Sequence, residues 1–342
     1  MDLRKDPITK SWVLIGDDDS RLPAPPVCPY CPGNEGLISP PIYSMPPDGR
    51  SGGIRVFPHP HALYQIEGKV ERRAEGIYDK MRTVGAHEVI VESPDHGSRL
   101  SAAPEADISH LLECWAWRID DLKNDTRFKY ITVFKNQGEV AGQQIKHPHT
   151  ELTATTFIPR RILYELRASQ EYYRMKERCV LCDIKCQEEQ QGLRVVDLSG
   201  SFAALCPFAS RVPYELWILP RYHHSSFEAD LLRRRDSTEL AGLLRRCLAR
   251  LEQLTNDYHL VLHTSPNTRA RSEVAGYWTT LDDDYHWHIE ILPITEKQSK
   301  SYSIKEVYYC PMAPETAAAR LKDLPTHLDL LPQEEFGFQG KK

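Results

Sequence analysis

The sequence predicts an α+β fold built from two units of similar topology, and three observations support this prediction. A Cys-x-x-Cys pair opens each half of the chain, at 28–31 and at 179–182. A His-x-His-x-Glu run closes each half, at 147–151 and at 286–290. Between these landmarks lie short apolar runs that end at proline, typical of strands, and one long segment with helical spacing. The repeated order predicts a duplication in which each unit is an antiparallel sheet with a long helix packed on it.

The periodicity of apolar residues places the elements of the first unit. Between Pro104 and about Asn124 apolar residues recur at intervals of three and four, which predicts an amphipathic helix. Runs rich in β-branched and aromatic residues indicate strands. These strands are predicted at 3–15, 54–57, 87–92 and 130–134. A second helix over 160–176 leads out of the first unit, which is assigned to residues 1–177.

The second unit, assigned to residues 178–330, repeats these elements. Strands are predicted at 201–205, 215–219 and 258–263. Leucines at helical spacing from Asp230 to about Leu254 predict one long amphipathic helix. A short helix is predicted over 315–324, and the polar tail at 331–342 is predicted to be mobile.

Length and composition favour a cytoplasmic enzyme. The 342 residues suggest about two domains, and an apolar share of 41% is ample for a substantial core. A net charge of -5 and a pI near 6.3 give no basic surface for nucleic acid. No apolar run approaches the ~18 residues of a membrane span, and the first residues lack the apolar core of a signal peptide. We therefore expect neither a nucleic-acid partner nor a membrane partner.

The cysteines indicate metal centres. Nine is an odd number, which argues for reduced thiols or metal ligands and against a disulfide framework. A Cys-x-x-Cys pair with two histidines from separate strands gives four ligands suited to tetrahedral zinc. The first such set is Cys28, Cys31, His96 and His147, and the second is Cys179, Cys182, His223 and His286. Buried apolar cysteines and core histidines are the alternative, but recurrence in the same order favours two zinc sites.

Two details of these sets depend on spacing alone. His223 and His224 are adjacent, and only the spacing favours His223 as the ligand. The remaining cysteines have no such partners and are predicted to be structural: Cys114, Cys186, Cys206, Cys247 and Cys310.

His149 is the candidate catalytic residue. In a strand the side chains at i and i+2 share a face, so His147 and His149 are predicted to meet the same site. A positioned imidazole that is not a metal ligand acts as a general base or a nucleophile. The loop from Asn136 to Gly142 offers an amide and backbone N–H groups to phosphate oxygens. The alternative is a structural strand histidine, but a nucleophile beside such a cradle suits attack on phosphorus.

These residues resemble a known family. The segments CPYCPGNE, SPDH, NQG-x3-G and HPH, in this order, are similar to galactose-1-phosphate uridylyltransferase, the transferase branch of the histidine-triad superfamily. The second half, with CxxC-D-I, LP-R-x-H, HTSP and HWH, is also similar to the plant ADP-glucose phosphorylase relatives. The resemblance implies duplicated histidine-triad-like units and a ping-pong nucleotidyl transfer. His149 would attack the α-phosphorus of a UDP-sugar and release a hexose 1-phosphate. A second hexose 1-phosphate would then collect the nucleotide.

The resemblance also implies roles for individual residues. Asn136 matches a phosphate contact, and a carbonyl near His147 would orient the His149 ring. Gly142, Gln144 and Arg21 match the substrate-binding region. The resemblance further implies a homodimer that binds a nucleotide sugar and a sugar 1-phosphate. For the second metal it offers an alternative set, in some members an iron site, onto which Glu165, His263, His286 and His288 map. Both sets claim His286, so only one is expected to be fully occupied, and the thiolates favour zinc.

Several residues depart from the family pattern. Glu151 stands where the family has a glutamine that donates a hydrogen bond to the phosphate of the covalent intermediate. An ionised carboxylate would repel that phosphate, and only a protonated Glu151 with a raised pKa could donate. Gln144 is then a candidate for the missing amide. Residues 17–19 are acidic where the family is basic, with Arg21 retained, and His59 replaces a nucleotide-contacting asparagine.

Glu151 therefore leaves three activities open. Hexose 1-phosphate as acceptor makes a uridylyltransferase. Phosphate or water as acceptor makes a phosphorylase or hydrolase of ADP-sugars or dinucleotides that uses the same histidine. The third is a metal-stabilised nucleotide-binding protein with weakened catalysis.

Overall fold

The computed structural model describes residues 1–16, 27–45, 53–234, 237–269, 279–295 and 307–326. The first half contains β1 (Asp2–Lys5), β2 (Trp12–Ile15), β3 (Tyr43–Met45), β4 (Ile54–Pro58), β5 (Arg73–Glu75), β6 (Tyr78–Arg82), β7 (Gly85–Val91), α1 (Glu105–Leu122), β8 (Tyr130–Gln137), β9 (His149–Thr155) and α2 (Arg160–Lys176). The second half contains α3 (Val180–Gln191), β10 (Val195–Leu198), β11 (Phe202–Leu205), β12 (Leu216–Pro220), α4 (Phe227–Arg234), α5 (Thr238–Leu251), β13 (Tyr258–His263), α6 (Leu281–Asp284), β14 (His288–Pro293) and α7 (Pro314–Asp323).

Both halves contribute to one antiparallel sheet of ten strands. Its order is β10-β11-β12-β14-β13-β8-β9-β7-β4-β3, so the halves meet where β13 pairs with β8. Outward from this seam the first half runs β8-β9-β7-β4 and the second runs β13-β14-β12-β11, the same order of landmarks in each. The α+β class is confirmed. The two predicted sheets are joined edge to edge, which pairs the backbone groups that two separate edges would expose.

Helices α1 and α5 cover one face of this sheet, whereas α2 and α6 pack in a separate cluster with Tyr130 of β8. The apolar residues of α1 that predicted the helix are buried: Ile108, Leu111, Leu112, Trp115 and Ile119. They share one core with apolar residues of α5 and of strands from both halves. A smaller cluster of Tyr30, Phe57, Val89 and Val91 lies apart from this core. Burial on both faces explains why every residue of β7 is buried.

The second half has two helices, α4 and α5, where the sequence predicted one from Asp230 to Leu254. The separation lies at Ser237, whose φ of -108° and ψ of 2° are not helical. Its hydroxyl lies 2.6 Å from Ser109 Oγ and donates to Glu113 Oε1 of α1 at 3.1 Å. These contacts with α1 hold Ser237 outside helical geometry, and α5 begins after it.

Other predictions were wrong in detail or are not tested. The strand expected at 3–15 is a hairpin of β1 and β2. These strands lie in a separate sheet ordered β2-β1-β6-β5. All nine cysteines are free thiols, and within the described ranges no helix is long and apolar enough to cross a membrane. Arg21 and the tail at 331–342 lie outside the described residues, and the unit boundaries at 177 and 178 remain predictions.

Candidate active site and metal centres

The structure brings together the first predicted zinc set. His147 Nδ1 lies 3.6 Å from the sulfurs of both Cys28 and Cys31, and His96 Nδ1 lies 3.4 Å from Cys31 Sγ. Tetrahedral zinc with bonds of ~2.3 Å to sulfur and ~2.05 Å to nitrogen places these atoms about 3.6 Å apart. His147 Nε2–H donates to Ser93 O at 2.7 Å, which leaves the Nδ1 lone pair facing the thiols. The residues therefore fit zinc.

The second predicted set has the same geometry. Cys182 Sγ lies 3.4 Å from Nδ1 of both His223 and His286, and Cys179 Sγ lies 3.9 Å from His286 Nδ1. The Nε2–H groups of His223 and His286 donate to backbone carbonyls at 2.8 and 3.1 Å. His223 rather than His224 joins the cysteines. Each ring again directs a lone pair toward the thiols, as a zinc ligand requires.

The expectation that the second zinc set and the Glu and His set exclude each other is wrong. Glu165, His263 and His288 form a separate cluster that Glu290 completes, and His286 belongs only to the cysteine set. Residues 286 and 288 separate because His286 precedes β14, whereas His288 is its first residue and turns Nδ1 toward His286 O at 3.2 Å.

This Glu and His cluster is an ion-pair network. Arg211 donates to Glu290 at 2.6 Å, and Arg161 donates to Glu165 at 2.8 Å. His263 Nδ1 lies 2.8 Å from Glu165, and its Nε2 lies 3.6 Å from Glu290. Burial lowers the pKa of His263, but the Glu165 carboxylate outweighs burial and raises it. Because Arg161 and Arg211 already pair with both carboxylates, and Arg211 also pairs with Glu215, these residues fit a buried ion-pair network better than an iron site.

His149 begins β9 and is buried. Its Nδ1–H donates to His147 O at 2.9 Å, so Nε2 keeps its lone pair. The predicted carbonyl is thus in place. The two rings nevertheless serve different clusters, His147 with the cysteines and His149 beside Glu151. They differ because the strand begins only at His149, so strict alternation does not extend to His147.

A buried ion pair that the sequence did not indicate contacts the backbone of His149. Lys135 Nζ lies 3.0 Å from Glu92 Oε2 and donates to His149 O at 3.0 Å. The same carboxylate accepts from Thr150 Oγ1 at 2.6 Å, and Glu92 N–H donates to Pro148 O at 3.1 Å. The available signal was a charged residue directly after an apolar run, Glu92 after 89–91 and Lys135 after 133–134.

Replacing Lys135 with methionine is expected to lower the free energy of unfolding by ~3–5 kcal/mol, because it leaves the Glu92 carboxylate buried without its counter-charge. Urea denaturation of the variant and the parent measures this difference. Lys146→Met, at an exposed position of the neighbouring segment, is the control and should change stability little. Equal stability of the Lys135 variant would show that the pair does not hold this region.

The predicted phosphate loop begins later than expected, because β8 extends through Gln137. Asn136 therefore lies on the strand, and its Oδ1 accepts from Nδ1–H of His259, which faces it from β13, at 2.8 Å. This bond leaves the two amide hydrogens of Asn136 available for a phosphate. His259 is a further residue that the sequence did not indicate.

Gln143 rather than Gln144 shapes the loop. Gln143 Oε1 accepts the N–H of Gly138 at 2.8 Å. Gly138 has φ +89°, and a Cβ there would lie 2.2 Å from Asp257 Oδ1, so only glycine fits. Gly142 and Gln144 are exposed in the same loop. Their predicted contacts with substrate remain predictions.

Glu151 is ionised at neutral pH. Burial raises the pKa of this carboxyl, but the neighbouring imidazoles of His149 and His87 outweigh burial and lower the pKa to about 2. His87 Nε2 lies 2.9 Å from Oε2, and His149 Nε2 lies 3.6 Å from Oε1. The protonated form, which alone could donate to a phosphate, is therefore disfavoured.

Comparison with known proteins identifies relatives of the whole chain. Residues 49–159 match the family model described as galactose-1-phosphate uridyl transferase, N-terminal domain. The chain is 28% identical over 340 residues to ADP-glucose phosphorylase from Arabidopsis thaliana, covering 94% of this chain and 93% of that protein. It is also 28% identical over 336 residues to galactose-1-phosphate uridylyltransferase from Thermotoga maritima, covering 94% and 98%.

The fold shows the same relationship. The crystal structure of an ADP-glucose phosphorylase from Arabidopsis thaliana with bound ADP-glucose superposes with a TM-score of 0.75 and 27% identity, covering 95% of this chain and 100% of that chain. The resemblance read from the motifs is confirmed: the chain is similar along nearly its whole length to galactose-1-phosphate uridylyltransferase and to ADP-glucose phosphorylase.

Proposed function

We propose that this chain transfers a nucleoside monophosphate from a nucleotide sugar to an acceptor by a ping-pong mechanism, with His149 as the nucleophile. The observation that carries the proposal is the hydrogen bond from His149 Nδ1–H to His147 O at 2.9 Å. It keeps the Nε2 lone pair of a buried ring available for attack, as nucleophilic catalysis by histidine requires.

In the first half-reaction His149 Nε2 attacks the α-phosphorus of the nucleotide sugar. A P–N bond forms, the P–O bond to the sugar phosphate breaks, and sugar 1-phosphate leaves. Asn136, oriented by His259, and the backbone of the Gly138 to Gly142 loop are proposed to bind phosphate oxygens, which places positioned donors where charge develops.

The two cysteine and histidine sets are proposed to hold zinc as structural ions. The first set fixes His147, whose carbonyl orients the nucleophile. Structural zinc contributes to folding by cross-linking its ligands, and no chemistry at phosphorus is assigned to it.

The acceptor distinguishes two candidate reactions. With UDP-sugar as donor and hexose 1-phosphate as acceptor, the reaction is that of a UDP-glucose–hexose-1-phosphate uridylyltransferase. Phosphorolysis or hydrolysis is the second candidate, and of these two the ionised Glu151 beside His149 favours hydrolysis. The homodimer and the cytoplasmic location expected from the sequence remain predictions.

Intact-protein mass spectrometry after incubation with a panel of nucleotide sugars tests the proposal. We expect an added mass equal to one nucleoside monophosphate, stable in base and labile in acid. The size of the added mass identifies the nucleotide. Protein that gains no mass with any UDP-sugar, ADP-sugar or dinucleotide would contradict the proposed function.

A further inference from the structure

Two histidines and one carboxylate converge beside the proposed nucleophile. His59 and His87 are stacked with ring centroids 4.0 Å apart and planes 5° apart. The Nε2 atoms of His87 and His59 lie 2.9 and 3.8 Å from Glu151 Oε2. The other carboxylate oxygen lies 3.6 Å from His149 Nε2. Glu151 therefore bridges the stacked pair and the nucleophile.

Backbone donors set the tautomer of both stacked rings. His87 Nδ1 accepts from Leu63 N–H at 3.2 Å, and His59 Nδ1 accepts from His61 N–H at 3.0 Å. A ring that accepts at Nδ1 carries its proton on Nε2. Both rings therefore present N–H donors to Glu151.

The tautomer of His59 and His87 distinguishes their cluster with Glu151 from the zinc sets. The possible ligand atoms of this cluster nevertheless lie close enough together to hold a metal. In the zinc sets the far nitrogen of His147 donates to a carbonyl, which leaves a lone pair for a metal. Here the far nitrogens accept, so a metal at Nε2 would require imidazolate rings. The two histidines serve instead to hold Glu151 as an oriented anion.

We propose that Glu151 selects the acceptor of the second half-reaction: it is the general base for water and disfavours phosphate monoesters. This inference rests on the proposed function, because it concerns the fate of nucleotidyl-His149. In the step, the water oxygen bonds to phosphorus and its proton moves to the Glu151 carboxylate. The P–N bond breaks and its electron pair returns to His149 Nε2. Free enzyme and a nucleoside monophosphate result.

The charge of the acceptor determines whether Glu151 favours water or a phosphate compound. A phosphate monoester carries about -1.5 to -2 charge at pH 7, whereas water carries none and has a proton to give up. Only 15% of the Glu151 side chain is exposed, so solvent screens its charge weakly.

The experiment isolates the nucleotidylated protein and follows its decay with water alone, with inorganic phosphate and with hexose 1-phosphate. Rates are expressed per labelled protein. We expect nucleoside monophosphate to be the main product of the parent even with hexose 1-phosphate present, with oxygen from ¹⁸O-water in the product. In Glu151→Gln, hydrolysis should fall about a hundredfold, as for loss of a general base. Transfer to the two phosphate acceptors should rise.

Two results would overturn the inference while leaving the proposed function intact. One is a Glu151→Gln intermediate that hydrolyses as fast as the parent. The other, which needs no variant, is parent intermediate that passes its nucleotide to hexose 1-phosphate in preference to water. Absence of labelled protein together with absence of released nucleoside monophosphate would instead refute the proposed function and this inference together.

Discussion

Replacing His149 with alanine is expected to abolish nucleotidylation and to lower kcat by more than about a thousandfold, because the alanine variant has no atom that can form the bond to phosphorus. The fold should persist, since the Lys135 and Glu92 clamp contacts the backbone at 149 and not the ring. Intact mass after incubation with a nucleotide sugar and steady-state turnover measure the two effects.

His288→Ala is the matched control. His288 has the same position in its His-x-His-x-Glu run, and its Nδ1 makes the same bond to the carbonyl two residues earlier, at 3.2 Å. We expect this variant to be nucleotidylated like the parent. Labelling that persists in His149→Ala but disappears in His288→Ala would place the nucleophile at His288 and contradict the proposal.

The surroundings of these two histidines explain why one half is proposed to do the chemistry. His149 lies beside a single carboxylate that two imidazole groups contact. His288 lies in the network of Glu290, His263 and two arginines, where burial and the neighbouring His263 lower its pKa to about 4. The two halves thus share the imidazole-to-carbonyl contact but differ in the charged groups that surround the ring.

Local patterns made much of this structure predictable. A Cys-x-x-Cys pair and a His-x-His run are read directly from the chain, and their repetition linked Cys28 to His147 across 119 residues. The same repetition predicted the second zinc set and the α+β class. Apolar periodicity placed α1 and α2 because burial of one helix face is itself periodic.

Contacts between distant segments were not predictable in this way. Glu290 joins Glu165 and His263 only because β13 and α2 meet β14 in space. His87 reaches Glu151 because the register of β7 and β9 places Val89 opposite Glu151, with His87 two residues along the same face. Nothing in the spacing of these residues indicates that register. The break at Ser237 likewise depends on a contact with α1.

Replacing Cys31 with serine is expected to remove one of two zinc ions per chain and to lower the free energy of unfolding by at least about 3 kcal/mol, because metal binding at such a site contributes directly to folding. Nucleotidylation should fall as well, since His147 both faces Cys31 and supplies the carbonyl that orients His149. Metal analysis of the purified protein, denaturant unfolding and intact mass measure the three effects.

Two further cysteine variants separate metal loss from general damage. Cys186→Ser changes an exposed thiol outside both sets and should keep both ions, stability and labelling. Cys182→Ser should lose the other ion and some stability but still be nucleotidylated, because its centre lies in the half that holds His288. If Cys31→Ser retained full zinc and full labelling, the first centre could not be what positions His149. If Cys182→Ser abolished labelling while the protein stayed folded, nucleotidylation at His149 would depend on the second metal centre as well as the first.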